Sequence, residues 1–193
     1  MLFRSGDPAA AQRAVAEAAR ALGGLDLLIV NHGVWPPDDM PVARMIDAQW
    51  DATRRANLDA VFYVCRATIP LLPEGGRIVL VSSTAGQRGE AFHADYAATK
   101  GAVIAFTKSL AVELAPRITV NCVAPGWVDT EMAQQPYGRE GGKGKRDIER
   151  TIPLGRVASA EDIAGPIVFL CSALARHITG EVLNVNGGSV LCG

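Results

Sequence analysis

The sequence predicts an open α/β fold built on a parallel sheet, and three observations carry that prediction. Short apolar runs alternate with longer helical patterns along the chain. The apolar runs are continuous, as strands covered on both faces require. Polar and turn-forming residues gather where those runs end, at Asn31-His32-Gly33, Ser82-Ser83 and Pro125-Gly126. Ligands of such sheets bind at the carboxyl ends of the strands, so the three ends are expected to meet in one crevice.

Taken in order, Asp7-Pro8 reads as an N-cap followed by proline at the first helical position. Ala9 to Leu22 is alanine-rich and helical, and Gly23-Gly24 stops it. Leu25 to Val30 is a mostly apolar strand, and Pro36-Pro37-Asp38-Asp39 a loop. Asp47 to about Leu72 is one long helical pattern carrying Trp50, Asn57 and Phe62, ended near Pro70 and Pro73. Arg77 to Ser82 is the next strand. Gly86 to His93 is a loop into a helix that runs to about Leu114, where Pro116 stops it. Ile118 to Val123 is a further strand. Trp127 to Thr151 is polar and glycine-rich, with a basic middle, and reads as a solvated loop with a mobile lid as the second reading. Ser159 and Asp162 form a capping-box start for a helix to about Ala175, which Pro166 should bend. Val182 to Val185 closes the sheet before Asn186-Gly187-Gly188.

Bulk properties narrow the function classes. The 193 residues suit one domain, with 49% hydrophobic and 20% charged residues, enough to build a core. A net charge of -1 with 6% aromatics gives no footing for a nucleic-acid groove or a basic membrane face. The apolar runs are too short to span a bilayer, and the N-terminus has no secretory apolar region. Cys65, Cys122, Cys171 and Cys192 are scattered, so reduced thiols in a cytoplasmic protein are expected, with Cys122 and Cys171 as core fillers. His32, His93 and His177 form no metal-ligand pattern, and His93 reads as a solvent-facing loop residue.

The chemistry concentrates at Ser83, Tyr96 and Lys100. Tyr96 and Lys100 lie four apart at a helix start, hence on one face. A phenol beside an ammonium is an acid–base device. Free tyrosine titrates near pH ~10, and working near neutrality needs about three units, roughly 4 kcal/mol. A nearby positive charge supplies part of that shift by favouring the phenolate. Ser83 ends a strand and offers its hydroxyl to the same place.

Asn31-x-Gly33, Asn57, Ser83, Tyr96-x-x-x-Lys100 and Pro125-Gly126-x-x-x-Thr130 occur in this order, followed by Leu154-Gly155-Arg156 and Asn186-Gly187-Gly188. The ordered set resembles the short-chain dehydrogenase/reductases from Asp7 onward, and most of all the relatives of 3-oxoacyl-acyl-carrier-protein reductase. The resemblance implies an NAD(P)-dependent oxidoreductase that interconverts a carbonyl and a secondary alcohol, 3-oxoacyl reduction included. It implies Tyr96 as proton donor and acceptor, and Lys100 lowering its pKa and binding the nicotinamide ribose. Ser83 then hydrogen-bonds the substrate oxygen, and Asn57 holds a water linking Lys100 to solvent. Asn31, Gly33, Pro125, Gly126, Val128 and Thr130 border the cofactor, Val128 and Thr130 at the carboxamide. Asn57 as a surface polar residue, Asn31 as a turn former and Thr130 as a helix N-cap are the structural alternatives. Trp127 either lines the pocket or packs in the core.

The resemblance also implies a homotetramer through Asp47–Leu72 and Asp95–Leu114, and a carrier protein met by arginines near the cleft. Arg117 matches one such position, while Glu74 stands at the other. The implied fold is a Rossmann-type doubly wound parallel sheet lacking its first two strands and glycine-rich turn, a single incomplete domain over residues 1–193. That turn is where backbone amides meet the pyrophosphate, and coenzyme choice is set just after the second strand. Residues 1–6 read as non-native sequence, and Arg4 breaks the family pattern near the adenine. A catalytically inactive fragment or binding module that retains the second half of the fold is the alternative reading. The purified chain is accordingly expected to bind NADH or NADPH weakly or not at all. Fluorescence titration checks this, and clear saturable binding contradicts it.

Overall fold

A computed structural model describes residues 6–36, 38–138 and 143–191. Its centre is a four-stranded parallel sheet in the order β1 (Leu27–Val30), β2 (Gly76–Val81), β3 (Ile118–Pro125) and β4 (Val182–Val185). The register sets Val30 beside Leu80 and Val81 beside Val123, so the strand ends form one rim. The expected notches after β1, β2 and β3 therefore meet.

Helix α1 (Pro8–Leu22) begins as the sequence reads: the Asp7 carboxylate accepts from the Ala9 N–H at 2.9 Å, and Gly23 closes the helix at φ 75°. The long pattern from Asp47 is α2 (Asp47–Arg54), a wider π turn (Arg55–Asp59), α3 (Ala60–Thr68) and a 3-10 turn (Ile69–Leu71). Asn57 sits in the π turn, a helix defect that often marks a functional position. Helix α5 spans Ala94–Leu114.

One face of the sheet carries Val30, Ile78, Leu80, Val120 and Cys122 against Val61 and Cys65 of α3 and Val103 and Leu110 of α5. The other face presents Val79, Val81 and Val123 to Ile163, Ile167 and Leu170 of α8 (Ala160–Leu170). Burying side chains of this size contributes roughly 1.5–3 kcal/mol each. Cys65 and Cys122 are fully buried in the first cluster, while Cys171 is only half-buried and Cys192 lies outside the described residues. Double coverage fails at β1. Leu28 and Val30 face the core, but Leu27 and Ile29 are 44% and 47% exposed, because no described element packs over them.

The structure corrects three further expectations. The loop Gly86–His93 begins inside a short helix, α4 (Ala85–Arg88), started by Ser83 Oγ accepting from the Ala85 N–H at 3.1 Å. The stretch 127–151 is not a plain solvated loop. It holds a 3-10 turn (Glu131–Ala133), α6 (Gln134–Gly138) and α7 (Lys143–Thr151), and Ala133, Tyr137 and Ile152 pack with Val157 into a small cluster of their own. Its residues 139–142, like residues 1–5 and Arg4 among them, lie outside the described residues. Helix α8 ends at Leu170, and a separate 3-10 turn capped by Ser172 covers Ala173–Ala175. Its capping box forms as read, Ser159 and Asp162 each satisfying the other's backbone N–H.

Gly86 holds α4 against α5 at a distance no side chain tolerates. A Cβ there would lie 2.6 Å from the Lys100 carbonyl carbon and 2.7 Å from the Gly101 nitrogen. Gly86→Ala is expected to destabilise the fold by about 1–3 kcal/mol through overpacking, lowering Tm by several degrees in a thermal melt. An unchanged melt contradicts this close approach.

Candidate active site

The site is assembled by β2 and the first turns of α5. The Lys100 ammonium donates to the Val81 carbonyl at 3.0 Å, and the Ser82 hydroxyl donates to the Lys100 carbonyl at 2.7 Å. These two bonds tie the end of β2 to α5. The start of α5 is fixed from the other side. Asp95 is buried and its carboxylate accepts from Thr53 Oγ1 at 2.8 Å, Gln49 Nε2 at 3.3 Å and the Tyr96 N–H at 2.9 Å. Tyr96 is thereby aimed at the strand end, where its phenol and the Ser83 hydroxyl line the same two clefts. Lys100 Nζ lies 5.8 Å from the Tyr96 ring centroid, so the one-face reading of the i, i+4 pair holds.

Asn57 is fully buried, which removes the surface alternative. Its Oδ1 accepts from the Val34 N–H at 2.7 Å and its Nδ2 donates to the Val34 carbonyl at 2.9 Å. The side chain thus clamps the loop after β1 as a strand neighbour would. A Cβ on Gly33 would stand 3.2 Å from Lys100 Nζ and 3.3 Å from Asn57 Oδ1. Glycine at position 33 is therefore what leaves room between the amide and the ammonium.

Two clefts meet at Ser83 and Tyr96. The larger, about 660 Å³, is lined by Asn31, Gly33, Lys100, Pro125, Gly126, Val128 and Thr130, with Ile163 and Ile167 of α8 beyond. All the positions marked in the sequence as cofactor neighbours line it. The volume suits a cofactor site, and the ammonium, the phenol and the open backbone at Gly33 fit the nicotinamide-ribose end of a dinucleotide. Thr130 stands at the N-cap of the 3-10 turn, its carbonyl accepting from the Ala133 N–H at 3.0 Å without a side-chain cap bond, so capping and cleft lining coexist at this residue. The smaller cleft, about 110 Å³, is lined by Trp35, Ala85, Trp127 and Met132, with Arg88 and Glu90 at its edge. Trp127 also packs against the cluster of Ala133 and Tyr137, so both of its alternatives are realised.

Burial dominates the electrostatics of both groups. The Tyr96 phenol is pushed above its ordinary pKa by burial, opposed by the Ser83 hydrogen bond and reinforced by the charge of Glu90. The Lys100 ammonium is aimed at the Val81 carbonyl and flanks the ring. Lys100 itself is pushed down to about 8 by burial. His32 is pushed down by burial and then by the Lys100 charge, and its buried Nε2 has no hydrogen-bond partner among the described residues. Among those residues no group of three His, Cys, Asp or Glu side chains is placed to hold a metal, and no helix is long and apolar enough to cross a membrane.

Two readings fail at specific residues. His93 is not solvent-facing: it is 5% exposed, stacks on Trp35 at 4.0 Å between centroids, and has Nε2 3.3 Å from the Asp39 carboxylate. Arg117 is not near the cleft. It precedes β3, whose far end forms the rim, roughly 25 Å away at ~3.3 Å per residue, and its guanidinium donates to the Leu72 and Ile69 carbonyls. Sequence reading also missed Trp35, Gly86 and the anchoring role of Asp95. A tryptophan two residues past a strand-end glycine was the available signal for Trp35.

Comparison with known proteins agrees with this geometry. A family profile described as Enoyl-(Acyl carrier protein) reductase matches residues 6–189. The chain is 39% identical over 179 residues to 3-oxoacyl-[acyl-carrier-protein] reductase FabG of Aquifex aeolicus, covering 91% of this chain and 70% of that protein. It is 38% identical to Nodulation protein G of Azospirillum brasilense, with 90% and 70% covered. A solved short-chain dehydrogenase/reductase (glucose/ribitol dehydrogenase) from Brucella melitensis superposes with TM-score 0.91 at 37% identity, over 98% of this chain and 75% of that one.

The depressed Lys100 pKa makes a signed prediction. Between pH 8 and 10.5 the unfolded chain holds a proton on Lys100 that the folded chain does not. Stability contributed at this site therefore rises with pH through that window, by on the order of 3 kcal/mol. The buried thiols of Cys65 and Cys122, pushed up to about 12 and about 11, act in the opposite sense, so a difference measurement is needed. Wild type is expected to gain stability relative to Lys100→Met between pH 7 and 10 in urea unfolding, and a constant difference contradicts it.

Proposed function

Because the chain belongs to the short-chain dehydrogenase/reductase family of oxidoreductases, we propose that it interconverts a carbonyl and a secondary alcohol by hydride transfer, with Tyr96 as proton donor and acceptor. The observation that carries this is the position of Ser83 and Tyr96 at the junction of two clefts, with Lys100 lining the larger. A nicotinamide dinucleotide, NAD or NADP, supplies or accepts the hydride when bound. Asn31, Gly33, Lys100, Val128 and Thr130 would hold its nicotinamide and ribose over the Pro125-Gly126 floor.

In the reducing direction the substrate oxygen sits between Ser83 and Tyr96. The Ser83 hydroxyl donates to it and stabilises the negative charge that develops as the carbon is reduced. The Tyr96 O–H breaks and its proton goes to that oxygen, giving the alcohol and leaving a phenolate. Lys100 favours the phenolate by its charge. The room above Gly33 between Lys100 and Asn57 takes a water through which the phenol regains its proton. In the oxidising direction the phenolate removes the alcohol proton, and the same groups run in reverse.

A phenol raised by burial suits the acid role at neutral pH, since it stays protonated. The names of the relatives support 3-oxoacyl thioesters as substrates, whereas the position of Arg117 gives a carrier protein no purchase near the cleft. The segment 127–151, whose Met132 and Ala133 line the smaller cleft, serves as the substrate lid. The working assembly is a cytoplasmic homotetramer formed through the α2–α3 run and α5, which light scattering of the active sample checks.

Tyr96→Phe is expected to lower kcat by roughly 10²–10⁴-fold, the usual worth of a positioned acid or base. Alcohol oxidation by the wild type should climb with pH from 7 to 10, since it needs the phenolate, while carbonyl reduction should stay flat or fall. Steady-state rates in both directions check this. A Tyr96→Phe enzyme that keeps more than a tenth of wild-type kcat removes Tyr96 from the chemistry.

A further inference from the structure

The chemistry uses Ser83, Tyr96 and Lys100 but assigns nothing to Trp35, although three aromatic side chains surround its indole. Its indole meets the Tyr96 ring edge-on at 4.7 Å and 71°, and stands 6.4 Å from Trp127. Behind it lies the buried His93 imidazole, 4.0 Å away. The backbone just before it is gripped by Asn57 through both polar atoms of Val34. The loop carrying it is tied to the loop before α5 by the Met40 N–H to the Phe92 carbonyl at 2.9 Å, and by His93 to Asp39. Phe92 adopts φ 65° there, a conformation that non-glycine residues take only when their surroundings impose it. A wall fixed from both sides is preorganised for a ligand.

The cleft in front of that wall is small and uncharged in sum. It measures about 110 Å³, the scale of one ring, since a cavity of ~150 Å³ holds a benzene molecule. Its charged lining residues, Arg88 and Glu90, pair with each other at 2.8 Å. Its remaining walls are mostly carbon, from Trp35, Trp127, Ala85, Val128 and Met132, with Thr84 and Thr130 as the other polar side chains besides Ser83 and Tyr96. Aromatic rings pack offset or edge-on against indole and phenol, and a ring seated there would keep its attached carbonyl at the Ser83–Tyr96 pair. A polyhydroxylated substrate would have more hydroxyls than Thr84 and Thr130 can partner, leaving the rest facing carbon, and a carboxylate would find Arg88 already neutralised.

Resting on the carbonyl–alcohol reading above, we propose that this cleft selects a neutral, single-ring substrate, an aryl alkyl or alicyclic ketone or its secondary alcohol. Trp35 is the specificity-determining residue and His93 the residue that positions it.

Indole N–H signals of the full 193-residue chain, labelled with 15N-tryptophan, test this by NMR. Trp35, Trp50 and Trp127 are assigned by single replacement with Phe. The probes are 1-phenylethanol, 2-octanol, glucose and a short linear 3-oxoacyl thioester. Saturable shifts of Trp35 and Trp127, with Trp50 unmoved, are expected with 1-phenylethanol at concentrations at least tenfold below any needed for the other probes. Trp35→Ala should weaken that binding tenfold or more. His93→Ala should raise the apparent Kd for 1-phenylethanol severalfold while leaving that for 2-octanol unchanged, and His93→Phe, which restores the stack, should recover it. Absence of a saturable shift with 1-phenylethanol, or tighter binding of glucose or the linear thioester at the same indoles, overturns the proposal. Shifts without hydride transfer to acetophenone, at NADH or NADPH concentrations where fluorescence titration shows the coenzyme bound, uphold the cleft and fail the catalytic reading. Turnover of the linear thioester with unmoved indoles does the reverse.

Discussion

The structure depends on one contact: α4, the short helix just after β2, lies so close to the first turns of α5 that backbone meets backbone. Gly86 allows it, since any Cβ there would overlap the Lys100–Gly101 peptide. Hydrogen bonds of Ser82 and Lys100 to each other's strand and helix hold it closed. Ser83 leaves the strand one residue later, and Tyr96 precedes Lys100 by one turn. The approach therefore sets the hydroxyl-to-hydroxyl meeting on which the chemistry rests. Asp95, bonded to Thr53 and Gln49, fixes the remaining freedom of α5 from the opposite flank.

Such closeness comes with dehydration, and dehydration sets the proton chemistry. Tyr96 and Lys100 are both below a tenth exposed, and burial penalises each one's charged form. The phenol stays protonated to a higher pH, and the ammonium is held more weakly than in water. The polar partners soften this without reversing it: Ser83 draws the phenol down, and the Val81 carbonyl satisfies one ammonium N–H. A pair read from sequence as a charge stabilising a phenolate is, in the fold, first of all two groups sharing a dry site. The tyrosine therefore keeps its proton to a higher pH than a free one.

Much of this was legible in the sequence. Continuous apolar runs gave four strands, and the strand at Val182–Val185 was bounded correctly. Caps at Asp7 and Ser159 formed with the bonds their residue types promise. Asn31, Gly33, Ser83, Lys100 and Thr130 came to one cleft because strand ends of a parallel sheet share a rim. What failed was read from local polarity. The 127–151 stretch is rich in Gly, Lys and Arg, yet Tyr137 and Ile152 were enough to fold its described parts onto Val157. His93 looked like a loop residue, but a neighbour distant in sequence, Trp35, buried it.

The sequence by itself determined the fold class, the order of elements and the pairing of Tyr96 with Lys100 on one helix face. These follow from periodicity, capping and spacing, which are properties of neighbours along the chain. Only the tertiary structure decided which groups lose water and which face which. It alone set Asn57 as a clamp on Val34, Trp35 as the wall of the smaller cleft, and Arg117 at the far end of its strand. It alone left Leu27 and Ile29 uncovered while their neighbours on the same face of β2 and β3 lie under α8. Burial and distance arise between residues remote in sequence. They shift a pKa or orient a ring by an amount no local pattern contains.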